Sequence, residues 1–289
     1  MTARPDSATM VVCASHSPGM LRDKTAEYGH DFRAGVVRAA ERVAAFDPEL
    51  VVFFGSDHRR AFVDFVPAVA VMTEADGLGD LGSATGRYDV PAKTAEALAS
   101  ALLDRNFDVT VVRKTALDHG FGQTYSQLIG ELPAVPVIPV YINCATRPLG
   151  RPSRAFALGR AIGEELCYLD QRILFIGSGG LSHSPPSLVS AAAGLSDAER
   201  LAMNEAGREA ARDKIDPAWD NAFLHRIVED RAGLERLTSA DIETAGVGAH
   251  EVRTWMAAIA AGNTPMEVIA YEPVREWITG MGLVTTAPW

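Results

Sequence analysis

A chain of 289 residues with 47% hydrophobic content can bury a sizeable core, which excludes the disordered and fibrous classes. A formal net charge of −10 and a pI near 5.2 oppose the phosphate attraction behind nucleic-acid and anionic-membrane binding, and no basic stripe reverses it locally. No run of ~18 apolar residues offers a membrane span, and the opening MTARPDSATM lacks the pattern of a signal peptide.

Residues 11–14 (VVCA) and 51–55 (VVFFG) are short, β-branched apolar runs and are predicted as strands. Between them Phe32, Val36, Ala40 and Val43 recur at helical spacing until Asp47-Pro48, making a strand-helix-strand unit. Residues 68–72 add a strand, and 77–83 (GLGDLGS) form a turn-rich loop because glycine tolerates positive φ. Pro91 opens a helix with Ala95, Leu98 and Leu102 on its buried face, and residues 109–112 return as a strand. The glycines of LDHGFGQ set a tight loop around His119, entering the helix that holds Tyr125 and Leu128. In VPVIPVYIN, residues 135–143, Pro136 and Pro139 each remove a ladder donor, which predicts a bulged strand or one near an edge.

A helix with Leu158, Ile162, Leu166 and Leu169 on one side leads into a strand at 173–176 and the loop GSGGLSH. Ser196 with Glu199 fits a capping box, and Trp219, Phe223 and Ile227 share one helical face. Glu251 opens a helix running to about Ala261, and residues 266–271 form a last strand. No repeat or long linker divides the chain. The expected fold class is α/β: a single domain over residues 1–289, with a central mostly mixed sheet flanked by helices and a helical carboxyl-terminal portion. Cys13, Cys144 and Cys167 have no CxxC spacing and read as reduced, mostly buried thiols of a cytoplasmic protein.

His16, His58 and His183 each lie just past a strand-like run, in VVCASHS, VVFFGSDH and ILFIGSGGLSH. The carboxyl ends of strands in an open α/β sheet converge on one edge, where imidazoles can meet around a metal or substrate. A carboxylate from Glu251 would complete, with His16 and His58, the two-histidine, one-carboxylate set of non-haem Fe(II) sites, while at a helix start it can equally serve the helix dipole. His250 beside it is an alternative ligand. Asp57 and Asp118 precede His58 and His119, and each is a candidate to orient its neighbour or another imidazole. The imidazoles of His119 and His183 suit proton transfer at neutral pH. Ser178 and Ser182 are candidate nucleophiles beside His183, but no GxSxG elbow, GxGxxG order or Walker motif accompanies them. His30 and His225 sit in charged helical stretches and are expected on the surface.

Taken in order, SHSP (15–18), FDPELVVFFGSDH (46–58), GDLGSATG (79–86), DHGF (118–121), VPVIPVYIN (135–143), RILFIGSGGLSHSPP (172–186), WDNAF (219–223), HEVRTW (250–255) and EWITGMG (276–282) form a series. It resembles the class III extradiol ring-cleaving dioxygenases over about residues 11–282. The resemblance implies Fe(II) held by His16, His58 and Glu251, an acid-base pair of His119 and His183, and a catechol opened with O₂ in a homo-oligomer. Two departures stand out: a shorter stretch between Pro186 and Trp219, and the basic pair Arg59-Arg60 after His58. The ring substituent stays open among a dihydroxyphenylpropionate, a dihydroxycinnamate and other substituted catechols. Arg59, Arg60, Arg113 and Arg253 are candidates to pair with a side-chain carboxylate. The same donors also make a zinc-dependent hydrolase, and a non-catalytic binding protein on this fold is the other alternative.

Overall fold

The computed structural model describes residues 9–23, 27–189 and 196–287, so residues 1–8 of the amino-terminal segment read above lie outside it. In chain order the strands are β1 (Thr9–Ala14), β2 (Leu50–Gly55), β3 (Val69–Met72), β4 (Ala75–Leu78), β5 (Thr85–Arg87), β6 (Thr110–Val112), β7 (Thr115–Leu117), β8 (Val137–Ile142), β9 (Ile173–Ser178), β10 (Met266–Val274) and β11 (Thr279–Thr286). Eight of them build one sheet in the order β10-β11-β1-β9-β2-β8-β3-β6, and β5-β4-β7 form a small second sheet. The centre of the large sheet, β1-β9-β2-β8, is parallel. Its flanks are antiparallel where β11 meets β1 and β3 meets β8, which makes it mixed, as expected.

Side chains alternate across the pleat, so each central strand feeds two cores. Val11 and Cys13 of β1 and Val52 and Phe54 of β2 point to one face, packed by the helices Ala92–Asp104, Pro152–Leu166 and Val252–Gly262. Val12, Val51 and Phe53 point to the other, with the helices His30–Phe46 and His119–Leu128. Gly159 and Gly163 let the helix Pro152–Leu166 lie directly on Val252–Gly262: a Cβ at either would run into the carbonyls of Ala257 or Ala261. Among the described residues no helix is long and apolar enough to cross a membrane.

The proline-rich segment departs from expectation. β8 is neither bulged nor at an edge, but sits fully buried between β2 and β3, with Pro139 in register opposite Phe53. Pro136 falls before the strand and supplies only a carbonyl, which accepts from Val51 N–H at 2.8 Å. The ladder to β3 runs from Val69 to Val71 against Ile142 to Val140, and so stops just short of Pro139, where no donor is required. The carboxyl-terminal portion is helical as far as Gly262, then closes with the β10-β11 hairpin, whose second strand, TGMGLVTT, is wholly buried against β1.

Candidate active site

The carboxyl ends of β1, β2 and β9 do converge. His16 follows β1, His58 follows β2, and His183 lies five residues beyond β9, all on the wall of one cavity of about 370 Å³ together with His119. Glu251 reaches the same point from the junction between a 3₁₀ turn, Val247–Glu251, and the helix that follows. Glycines make that approach possible. A Cβ at Gly179 would strike the Glu251 side chain, and one at Gly177 the backbone of Trp255.

The donor atoms cluster tightly. His58 Nε2 lies 3.1 Å from Glu251 Oε1, His16 Nε2 lies 3.9 Å from the same oxygen, and the two imidazole nitrogens are 3.4 Å apart. His16, His58 and His119 also offer ligand nitrogens within 4.8 Å of one another, a spacing that can hold a metal ion. His119 stacks on His58, with ring centroids 4.2 Å apart. His183 Nε2 is 3.9 Å from Glu251 Oε2.

Each ring is oriented by a partner on its far side. His16 Nδ1 hydrogen-bonds Ser178 Oγ at 2.9 Å, which bonds Thr124 Oγ1 at 2.8 Å. His58 Nδ1 donates to Asp118 Oδ2 at 3.1 Å, leaving Nε2 to face the cluster. Glu251 Oε2 accepts from Gly180 N–H at 2.7 Å, which turns Oε1 toward the imidazoles. His119 Nδ1 donates to Asp80 Oδ2 at 2.7 Å, and His183 Nδ1 to the Leu181 carbonyl at 2.8 Å. The carboxylate and carbonyl partners fix the tautomers of His58, His119 and His183 as well as their angles, the arrangement that tunes metal-binding imidazoles.

Electrostatics divide the histidines. Burial pulls His16 down to about 3 and also lowers His183, in both cases against Glu251. Burial acts the same way on His58, but Asp118 and Glu251 outweigh it and hold this imidazole well above its ordinary range. Glu251 and Asp118 are themselves buried, yet the surrounding histidines hold both carboxyls well below the usual range. His16 is thus held neutral and Glu251 ionised, while two buried carboxylates draw positive charge onto His58, a charge that a divalent cation at the same point would supply in place of the proton.

A family model described as the catalytic LigB subunit of aromatic ring-opening dioxygenase matches residues 10–282. The chain belongs to this family. Among curated relatives of this ring-opening dioxygenase are 2,3-dihydroxyphenylpropionate/2,3-dihydroxicinnamic acid 1,2-dioxygenases from Escherichia coli K12 and from Escherichia coli O157:H7 strain EC4115. Each is 38% identical over 300 residues, covering 93% of this chain and 96% of the relative. The crystal structure of an uncharacterized Escherichia coli K12 protein shares the fold, with a TM-score of 0.54 at 15% identity over 96% of this chain and 99% of that one.

Other candidates in this dioxygenase resolve into supporting parts. Ser178 is the partner of His16, and Ser182 is bound to Asp220, so neither is presented as a nucleophile. His250 is buried with both ring nitrogens engaged, by Glu243 at 2.6 Å and Arg253 at 2.6 Å. Asp57 caps the turn at Arg60, Ala61 and Phe62 instead of orienting a histidine. Asp118 orients His58, sixty residues away, and not its neighbour His119, whose partner is Asp80. Asp80 was missed from sequence; its only signal was an acid inside the glycine-rich GDLGSATG. Cys13 and Cys144 are buried free thiols, whereas Cys167 is exposed.

Proposed function

We propose that the protein is an Fe(II)-dependent extradiol dioxygenase that opens the ring of a substituted, dihydroxyphenylpropionate-like catechol with O₂, as a cytoplasmic homo-oligomer. The observation that carries this is the convergence of His16 Nε2, His58 Nε2 and Glu251 Oε1 within 3.9 Å at a cavity whose wall also holds His119 and His183. His16, His58 and Glu251 would hold the ion, leaving one face open for substrate. Bound there, Fe(II) supplies the Lewis acidity that gathers the diol and the electrons that activate O₂.

The remaining steps belong to the chain's own residues. His183 keeps its Nδ1 hydrogen on the Leu181 carbonyl, so Nε2 is the unprotonated nitrogen, and burial favours that neutral form. It takes a proton from a catechol hydroxyl. His119 keeps its Nδ1 hydrogen on Asp80, so Nε2 can carry a proton while the ring stays in place. It delivers the proton that ring opening requires. His183 is also boxed in: a Cβ at Gly248 or Gly180 would collide with its imidazole, so these glycines set where the base sits.

The test is anaerobic Fe(II) loading followed by O₂ uptake over a panel of substituted catechols. One O₂ consumed per catechol, with a conjugated ring-opened product, is the expected result. Equal activity of the zinc-loaded protein, or catechol binding with no O₂ uptake, would overturn it.

A further inference from the structure

We propose that Arg208 is the residue that receives the carboxylate ending the ring substituent of such a dihydroxyphenylpropionate-like catechol. This rests on the ring-opening function proposed above and names the residue that selects the substrate. Among the described residues, and apart from the histidines, the cations lining the cavity are Arg60 and Arg208, and the anions are Asp80 and Glu205. Asp80 is committed to His119, and Arg60 lies in the field of Asp80, helping to keep that carboxyl ionised. Arg60 thus lies toward the His119 side of the cavity. Arg208 has a different setting.

Leu201, Glu205 and Arg208 fall at i, i+4 and i+7 of the helix Asp197–Arg212, so they present one stripe to the cavity. Arg208 Nη1 and Glu205 Oε2 are 3.6 Å apart, yet the Glu205 side chain is 73% exposed and that of Arg208 27%. Both side chains line the cavity, and the arginine is the more buried of the two. A solvent-exposed pair of this kind is weak, whereas a ligand carboxylate meeting the guanidinium fork can bond it twice. Leu81, Leu188, Leu201 and Trp277 supply the apolar surface along which a ring and its short aliphatic arm would lie. The stripe is also anchored. Gly207 lets the helix close on the Pro186 ring, where a Cβ would collide, and Arg275 pairs with Asp213 at 2.7 Å just past the helix end.

The arginines singled out from sequence fit less well. Arg113 is on the surface beside Glu96, and Arg253 is buried and spent on His250, the Gly150 carbonyl and Ser239. Arg59 does not line the cavity.

Two measurements test the assignment on the full chain. In the first, calorimetry compares binding of 3-phenylpropionate with its uncharged isostere 3-phenylpropan-1-ol in the parent, Arg208→Ala, Arg208→Lys and Arg60→Ala proteins. The parent should prefer the acid, Arg208→Ala should lose that preference by on the order of 10- to 100-fold, and lysine, a point charge without the fork, should restore part of it. In the second, the ratio of kcat/KM for 3-(2,3-dihydroxyphenyl)propionate over 3-propylcatechol should fall by a similar factor in Arg208→Ala, the loss residing in KM. A preference untouched by Arg208→Ala, or abolished by Arg60→Ala instead, would overturn the inference. The binding arm needs no turnover: if no catechol is opened yet the Arg208-dependent preference persists, ring opening falls and the carboxylate site stands.

Discussion

Asp118 holds His58 twice through one oxygen: Oδ2 accepts from the His58 backbone N–H at 2.7 Å and from ring Nδ1 at 3.1 Å. Its other oxygen caps the helix His119–Leu128 at Gly120 N–H, 2.9 Å away. One buried side chain therefore sets the angle of one imidazole and the origin of the helix that carries another. Asp118→Asn should lower affinity for a divalent metal by about 10- to 100-fold. Competition against a chromophoric chelator measures this, and unchanged affinity would remove the orienting role.

His119→Phe and His183→Phe keep an aromatic ring while removing the proton carrier. Both proteins should retain metal, as read by elemental analysis, and lose on the order of 10²- to 10⁴-fold in kcat. Parental turnover in either would end its acid-base role.

The contact between the helices Pro152–Leu166 and Val252–Gly262 depends on a missing side chain. Gly159→Val would drive a Cβ into the Ala257 carbonyl, and the helix it displaces follows directly from Glu251. Urea unfolding should show a loss of about 1–3 kcal/mol, accompanied by weaker metal binding. Full stability in the valine variant would mean that the helices separate without cost.

Asp220 is buried beneath the Ser182 loop and accepts from Ser182 N–H at 2.8 Å, Ser182 Oγ at 2.7 Å and Tyr271 OH at 2.9 Å. Burial outweighs these donors and pushes its carboxyl from 3.8 up to about 6. The folded chain then holds a proton that the unfolded chain releases, so this group's contribution to stability falls as pH rises from about 4 to about 6 and is level above that. Comparing urea melts of the parent and Asp220→Asn at pH 4, 5, 6 and 7 should show the parent's relative stability declining by roughly 1–3 kcal/mol across that window. Parallel pH profiles would refute the shift.

Much of this fold was legible because its central strands are parallel and buried on both faces, and so read as unbroken apolar runs such as VVFFG and ILFI. The strand ends likewise pointed to His16, His58 and His183. β11 was missed because Gly280, Gly282 and its threonines resemble a loop, although the strand is fully buried between β1 and β10. Pro136 and Pro139 misled for the opposite reason: one lies just before β8 and the other's cost depends on which neighbours the strand has, and no local pattern tells either. The same limit hid the partners of the histidines. Asp118 belongs to a ring sixty residues away, and Asp80 and Arg208 join the site only through tertiary packing.

The cavity has two walls of different descent. Trp277 and Ile278 come from the turn of a hairpin and Thr279 from the start of β11, which stitches that hairpin into the main sheet, so they share its frame with the histidines that follow β1 and β2. Leu201, Glu205 and Arg208 come from a separate helix that contributes none of the clustered nitrogen and carboxylate donors. Reactivity and recognition are thus written on different stretches of chain. Exchanging that helix alone should re-address the same chemistry to a different catechol.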